Sequence, residues 1–193
     1  MKSYEDKELL DRVKSLENFN GIPTGHWILG VRSNADNPNQ FDDKLYHFKA
    51  ERFIRVIKGT TNPGKPVLNG FEKLNKDGAA VVRSNRWYYD LWKFGKHHGK
   101  IDALLQLGAK IEVYRDTDKD DKADEIGKLQ SGYFGINYHL NSYDINATTT
   151  GTNVGTWSAG CHVVCEPVKY KTQMKEFKES KQSTFSYCLL QEF

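Results

Sequence analysis

Cys161 and His139 are the residues whose types and spacing point most directly to covalent chemistry. Cys161 stands in the stretch GTWSAGCHVV (155–164), after a run of small residues and before an apolar pair. A thiol attacks a carbonyl group as the thiolate, and a free cysteine is mostly protonated at neutral pH, so a catalytic cysteine needs a base nearby. His139 lies 22 positions upstream (161 − 139), at the end of a β-like segment. We therefore predict that two neighbouring strands bring this imidazole beside the thiol.

Other residues around the cysteine limit the alternatives. His162 adjoins Cys161, and in a strand the two side chains would point to opposite faces, which disfavours His162 as the base. Gly160 would let the backbone approach a substrate closely, and its amide together with that of Cys161 could face an oxyanion. The competing interpretation is that Cys161 is a small buried strand residue without chemistry, which is how we interpret Cys165 and Cys188.

The spacing INYH (136–139) … WSAGCHVV (157–164) resembles the active-site signature of the L,D-transpeptidase (YkuD-like) catalytic domain, in a variant found in phage and bacterial proteins. That signature is an upstream histidine, a variable loop and Ser-His-Gly-Cys followed by an apolar residue and Arg or Asn. The match consists of His139, Ser158, Gly160 and Cys161, and the resemblance covers roughly residues 80–165. This chain departs from the signature at Ala159 and Val163, where a second histidine and the Arg or Asn would stand.

The resemblance implies a mainly β fold, β-sandwich-like in the L,D-transpeptidase manner, and a catalytic site of Cys161, His139, Gly160 and Ser158. It also implies an acyl-enzyme mechanism on peptidoglycan stem peptides. The N-terminus shows no signal peptide, so we expect a phage-type lysin that reaches the bacterial wall aboard a virion or through a holin lesion. The alternatives are L,D-transpeptidase cross-linking, and a non-catalytic phage structural or wall-binding module.

Substrate contacts must come from residues outside the cysteine motif. Because Val163 cannot bind a carboxylate, we predict that Arg83, Arg86 or Arg115 does so, and that Trp157 also contacts the substrate. The stretch RWYYDLWKFGKHHGK (86–100) mixes rings with cations and is either a wall-binding groove or aromatic core with solvated lysines.

An acidic segment is the candidate metal site. In DTDKDDKADE the carboxylates at positions 1, 3, 5 and 9 are those of Asp116, Asp118, Asp120 and Asp124. Calcium loops use this spacing because alternate carboxylates converge on one hard cation. The match is partial, since Asp121 replaces the usual glycine and Gly127 replaces the bidentate glutamate. We therefore weigh a structural calcium ion against a solvated hairpin tip, and the predicted chemistry requires no cofactor.

Composition excludes several classes of protein. The formal charge of +3 comes from 28 basic and 25 acidic residues that are mixed along the chain. The sequence therefore has no basic tail or stripe of the kind that indicates nucleic-acid binding. No apolar run reaches the length of a membrane span. Three cysteines are an odd number without a second zinc-ligand pair, which argues against a disulfide framework and a zinc site. The oligomeric state is left open.

Hydrophobic periodicity predicts a mainly β protein with a few flanking helices. The predicted helices are 3–17 and 168–182, the predicted loops are 34–43 and 144–156, and the type of 100–108 is left open. Strands are predicted at 53–59, 78–84, 110–116, 132–140, 161–167 and 184–190. We expect a catalytic region over 76–193 and a segment of uncertain assignment, packed on the core, over 1–75.

Overall fold

Eight strands close into a barrel in the computed structural model, which describes residues 2–193. Neighbouring strands are antiparallel except in two parallel pairs, His26–Arg32 with Phe185–Gln191 and Tyr138–Leu140 with His162–Val164. In order around the barrel the strands are β1 (His26–Arg32), β11 (Phe185–Gln191), β5 (Arg86–His97), β6 (Ile101–Leu105), β9 (Tyr138–Leu140), β10 (His162–Val164), β3 (Arg52–Thr60) and β2 (Asp43–Lys49).

A separate antiparallel sheet lies against the barrel. It contains β4 (Ala79–Val82), β7 (Ile111–Asp116) and β8 (Lys128–Gly132), with β7 in the centre. Its buried apolar residues, among them Val82 and Val113, belong to the same core cluster as the barrel residues Tyr138 and Tyr187. The sheet therefore covers barrel core that would otherwise meet solvent.

Two longer helices cover other parts of the barrel. Helix α1 (Asp6–Lys14) begins with a capping box between Glu5 and Glu8 and buries Leu9 and Val13 against outward-facing barrel residues such as Trp27. Helix α3 (Pro167–Ser180) begins at a proline and buries three large side chains in the main core cluster. These are Tyr170, Met174 and Phe177. A short helix, α2 (Lys65–Leu68), and two 3-10 turns at 71–73 and 155–157 complete the helical elements of residues 2–193.

Burial on both faces explains why some barrel strands read as continuous apolar runs. All seven residues of β1 are buried. Ile28 lies in the main core cluster, whereas its neighbours Trp27 and Leu29 pack in the cluster that includes α1. A strand covered on both faces loses the apolar–polar alternation that identifies strands in a sequence, and β1 was accordingly not among the predicted strands.

The mainly β prediction with flanking helices is confirmed, with 36% of residues in strands and 17% in helices. The strands were predicted to form a β-sandwich-like arrangement. They form a closed barrel with a three-stranded sheet beside it. The strands predicted at 53–59, 110–116 and 184–190 correspond to β3, β7 and β11, and the open segment 100–108 contains β6. Among the described residues no helix is long and apolar enough to cross a membrane.

Three predicted strands are shorter than expected. Segment 78–84 is a strand only over β4, and in the other two segments the reason is local. Segment 132–140 is interrupted between β8 and β9, where Gly135 has a left-handed backbone with φ of 74°. Segment 161–167 is a strand only over β10, because the helix α3 begins directly at Pro167. Residues 2–75, whose assignment was uncertain, contain β1, β2 and β3 of the same barrel.

Candidate functional site

The parallel pair β9–β10 brings Cys161 and His139 to one face of the barrel wall. In this pair Val163 lies opposite His139, and His162 lies opposite Tyr138. Cys161 directly precedes β10 and packs in the same small cluster as Val163. Because side chains alternate along a strand, Cys161, Val163 and His139 share the outer face.

His162 points the other way, into the barrel interior. Its ring centroid lies 4.7 Å from that of Tyr187 and 5.9 Å from that of Trp92, and its side chain is fully buried. Burial holds the pKa of His162 well below its usual range. His162 is therefore a core residue and cannot accept the proton of Cys161.

The Cys161 thiol is half-buried and makes its polar contacts with backbone groups. Asn137 N–H donates to Sγ over 3.4 Å, and the thiol donates to the Gly135 carbonyl over 3.4 Å. Within residues 2–193 no hydrogen bond joins Sγ to His139. Burial raises the pKa of Cys161 to about 11, and the Asn137 amide opposes this shift. The Cys161 side chain is consequently a neutral thiol at neutral pH.

The His139 imidazole is buried and has one free nitrogen. Nδ1 lies 2.9 Å from the Leu140 carbonyl oxygen. A carbonyl can only accept, so this contact assigns the proton to Nδ1 and leaves the lone pair on Nε2. Nε2 meets no partner at hydrogen-bond distance and angle among the described residues, although the Trp157 backbone lies near enough to the ring to oppose the effect of burial on its pKa. Burial, with a further contribution from His97, lowers the pKa of His139 to about 3, so the ring is a neutral proton acceptor.

A second histidine, which the sequence analysis did not select, stacks on the first. The rings of His97 and His139 have centroids 3.9 Å apart and planes 10° apart. His97 Nδ1 lies 3.4 Å from Asn137 Nδ2, and Asn137 Oδ1 accepts a hydrogen bond from the Gln106 amide at 2.9 Å. His97 ends β5, and only the pairing of β5 with β6 and of β6 with β9 brings it here. The HH pair at 97–98 was the one available sequence signal.

Ser158 and Gly160 shape the turn that presents Cys161. The buried Ser158 hydroxyl donates to the Cys161 carbonyl at 2.7 Å and accepts from the Gly160 amide at 3.2 Å. That contact occupies the Gly160 amide, whereas the Cys161 amide donates to no acceptor among residues 2–193. The Cys161 amide is thus the free donor of the predicted oxyanion pair, and Ser158 stabilises the turn.

Of the predicted substrate contacts, only Trp157 adjoins the thiol, and Arg86 forms an ion pair with Glu112 at 3.1 Å. Trp157 packs in the cluster of Cys161 and is half-buried. Arg115 is buried in β7, where its Nε donates to Gln130 at 2.8 Å and its guanidinium lies 4.9 Å from the ring of Phe134. Arg83 forms an ion pair with Glu112 at 3.0 Å. Both guanidinium groups are engaged within the three-stranded sheet and its flanks.

The acidic segment brings together three of its four predicted ligands. Carboxylate oxygens of Asp118, Asp120 and Asp124 lie within 4.8 Å of one another. Asp116 is buried and instead accepts hydrogen bonds from the amides of Asp118 and Asp124, at 3.3 and 3.0 Å. Asp116 therefore shapes the loop, and the three other carboxylates form the cluster that could hold a calcium ion.

Three surface cavities lie away from Cys161. A polar groove of about 370 Å³ runs along residues 20–25, and a second polar cavity of about 410 Å³ lies beside Arg32 and Glu125. An apolar cavity of about 300 Å³ lies between β6 and α3. The thiol lines none of these three cavities.

A scan against protein-family models, a search of curated proteins and a search of solved structures find no match for this chain.

Proposed function

We propose that the protein catalyses cysteine-dependent acyl transfer on peptides, with Cys161 as nucleophile and His139 as general base. The single observation that carries the proposal is the common face of β9 and β10, which holds the thiol and an imidazole with an unpaired buried Nε2. A base, a thiol and a free backbone amide are the parts that acyl transfer requires.

The electrostatics select a route in which proton transfer accompanies attack. With a thiol pKa of about 11 and an imidazole pKa of about 3, no resting thiolate–imidazolium pair exists. Sγ bonds to the substrate carbonyl carbon while the thiol proton passes to Nε2 of His139. The Cys161 amide donates to the oxyanion that forms. Collapse then breaks the C–N bond, the leaving amine takes the proton from His139, and a thioester remains.

Peptidoglycan stem peptides are the substrate class that we propose, on the resemblance of INYH … WSAGC to the L,D-transpeptidase signature. Water attacking the thioester releases a shortened peptide, which is the reaction of a phage-type lysin at the bacterial wall. An amine attacking it produces a cross-link. We favour hydrolysis, because Val163 and Ala159 remove two groups of the transpeptidase signature.

A non-catalytic wall-binding module is the second candidate, and one observation favours it. The hydrogen bonds of the Cys161 thiol go to backbone groups of residues 135 and 137 instead of to the imidazole. This arrangement is the one expected of a protein that keeps the fold but has no catalytic activity.

Purified protein incubated with defined muropeptides, with products identified by mass spectrometry, tests the proposal. We expect a shortened or cleaved peptide, and a joined dimer would indicate transfer instead. Cys161→Ala should abolish turnover, because it removes the nucleophile. The matched control is Cys165→Ala, which removes a half-buried thiol that contacts the Lys58 carbonyl. A folded Cys161→Ala protein that turns over as fast as the parent would exclude the cysteine mechanism, and wall binding without products would favour the second candidate.

A further inference from the structure

We propose that His97 is a positioning residue that stacks on His139 and orients its imidazole to take the proton of Cys161. This inference rests on the proposed function, since it assigns a role within that reaction. It goes beyond the cysteine motif, because His97 comes from β5 and precedes His139 by 42 positions (139 − 97).

The first argument is the geometry of the two rings. The ring planes are nearly parallel, 10° apart, and the ring centroids lie 3.9 Å apart. The face of His97 therefore restricts rotation of the His139 ring. The Leu140 carbonyl holds the other nitrogen at 2.9 Å. A ring held by a hydrogen bond at one nitrogen and by a stack on its face has one orientation for Nε2, and a general base needs a fixed orientation.

The second argument concerns which ring carries the proton. Two imidazoles this close cannot both be charged at neutral pH, because like charges at this distance repel strongly. The Gln106 amide can only donate, so the atom of Asn137 that faces it is Oδ1, and Nδ2 therefore donates to His97 Nδ1. This contact keeps His97 Nδ1 unprotonated. The proton released by Cys161 consequently goes to His139.

The surroundings of the stack agree with this assignment. The ring centroids of His98 and Tyr143 lie 4.2 and 6.1 Å from that of His97, and Lys100 Nζ lies 4.7 Å from the centroid of the Tyr143 ring. At neutral pH none of these three groups supplies a negative charge that would draw a proton to His97. Burial lowers the pKa of His97 to about 4, slightly above the value of about 3 for His139, so it is the unpaired lone pair on Nε2, and not basicity, that assigns the proton to His139.

Two substitutions of His97 separate stacking from other effects. His97→Phe retains a ring face over His139, whereas His97→Ala removes it. We expect His97→Ala to lower kcat on muropeptides by roughly ten- to a hundred-fold with KM unchanged, since misplacement of a catalytic group by about 1 Å costs this much. We expect His97→Phe to stay within about three-fold of the parent, because the orientation of His139 is preserved.

Imidazole ¹⁵N NMR of His139 provides a readout that does not depend on substrate. The parent and His97→Phe should show a single Nδ1–H tautomer, and His97→Ala should show signals averaged between tautomers. Unchanged His139 signals and unchanged kcat in His97→Ala would overturn the inference. If the parent itself turns over no muropeptide, the proposed function fails, and the NMR comparison still decides whether His97 orients His139.

Discussion

At the scale of single residues, the site is distinguished by groups that are uncharged at rest. Burial acts in opposite directions on the pKa of a thiol and that of an imidazole, and it favours the neutral form of both. Burial raises the pKa of Cys161 to about 11 and lowers that of His139 to about 3. A substrate that binds at this site would therefore meet a neutral proton donor and a neutral proton acceptor, with no ion pair to break.

The neutral thiol leads to a prediction about reactivity. The rate of Cys161 alkylation by iodoacetamide should rise about tenfold per pH unit from pH 7 to pH 9, because the thiolate fraction rises by that factor below the pKa. The measurement uses a Cys165→Ser protein. Its only cysteine besides Cys161 is Cys188, which is buried. A rate that is already constant at pH 7 would contradict the assignment and indicate a preformed thiolate.

Sequence reasoning identified some residues of the site and missed others for a definable reason. Cys161, His139 and Gly160 belong to one local pattern, so type and spacing were enough to select them. His97 and Asn137 carry no motif of their own. Asn137 stands inside INYH but acts through its backbone amide on the thiol and its side chain on His97, which only the structure makes visible.

At the scale of elements, the turn before β10 depends on a glycine. Gly160 has φ of 127°, and a Cβ at this position would lie 2.8 Å from the Ala80 carbonyl of β4. The turn can therefore approach the three-stranded sheet only with glycine. This contact also links the sheet to the position of the thiol, because Cys161 follows directly.

Gly160→Ala should lower the free energy of unfolding by about 1–3 kcal/mol, as expected for a strained backbone conformation. It should also slow Cys161-dependent turnover by displacing the thiol. The matched control is Gly151→Ala, since Gly151 has no atom within 4 Å of its would-be Cβ and lies outside the left-handed region. Urea unfolding followed by tryptophan fluorescence measures the free energy of unfolding of the two variants. Equal free energies for Gly160→Ala and Gly151→Ala would refute the role given to this turn.

The acidic loop remains a predicted calcium site. If the ion binds, calcium at a hundred times its Kd should stabilise the protein by about 2.7 kcal/mol, or roughly 5 to 10 °C in Tm for a chain of this size. Asp120→Asn should remove the shift because it neutralises one of the three clustered carboxylates. Asp11→Asn on α1 should keep it. Identical melting curves with calcium and with chelator would exclude the site.

At the scale of the whole molecule, the fold buries several neutral histidines. His47 and His162 are fully buried and His139 is nearly so. Burial lowers the pKa of His47 to about 2 and that of His139 to about 3, and it lowers that of His162 as well. In the unfolded chain these side chains take up protons below about pH 6.5, whereas in the fold they do not.

The protein should therefore lose stability as pH falls below about 6.5. Each of the three histidines contributes about 1.4 kcal/mol per pH unit to this loss. Asp43 acts in the opposite sense: burial raises its pKa to about 6, so between pH 6 and 4 its protonation favours the fold and offsets one histidine. Urea unfolding at pH 7.5, 6.0 and 5.0 measures the slope. A constant free energy of unfolding over this range would contradict the neutral assignments.

The sequence by itself determined the mainly β class and the two longer helices. It also determined that His139 and Cys161 belong to segments joined by one loop. These features depend on side-chain alternation, capping and backbone preferences, which act over a few residues.

Only the tertiary structure decided how the strands close and which side chains meet. The barrel closes through the pairs β1–β11 and β3–β10, whose members are more than a hundred residues apart in the chain. The stack of His97 on His139 requires the register of three strands at once. Register between distant strands is set by the packing of the whole core, and no local pattern of residues specifies it.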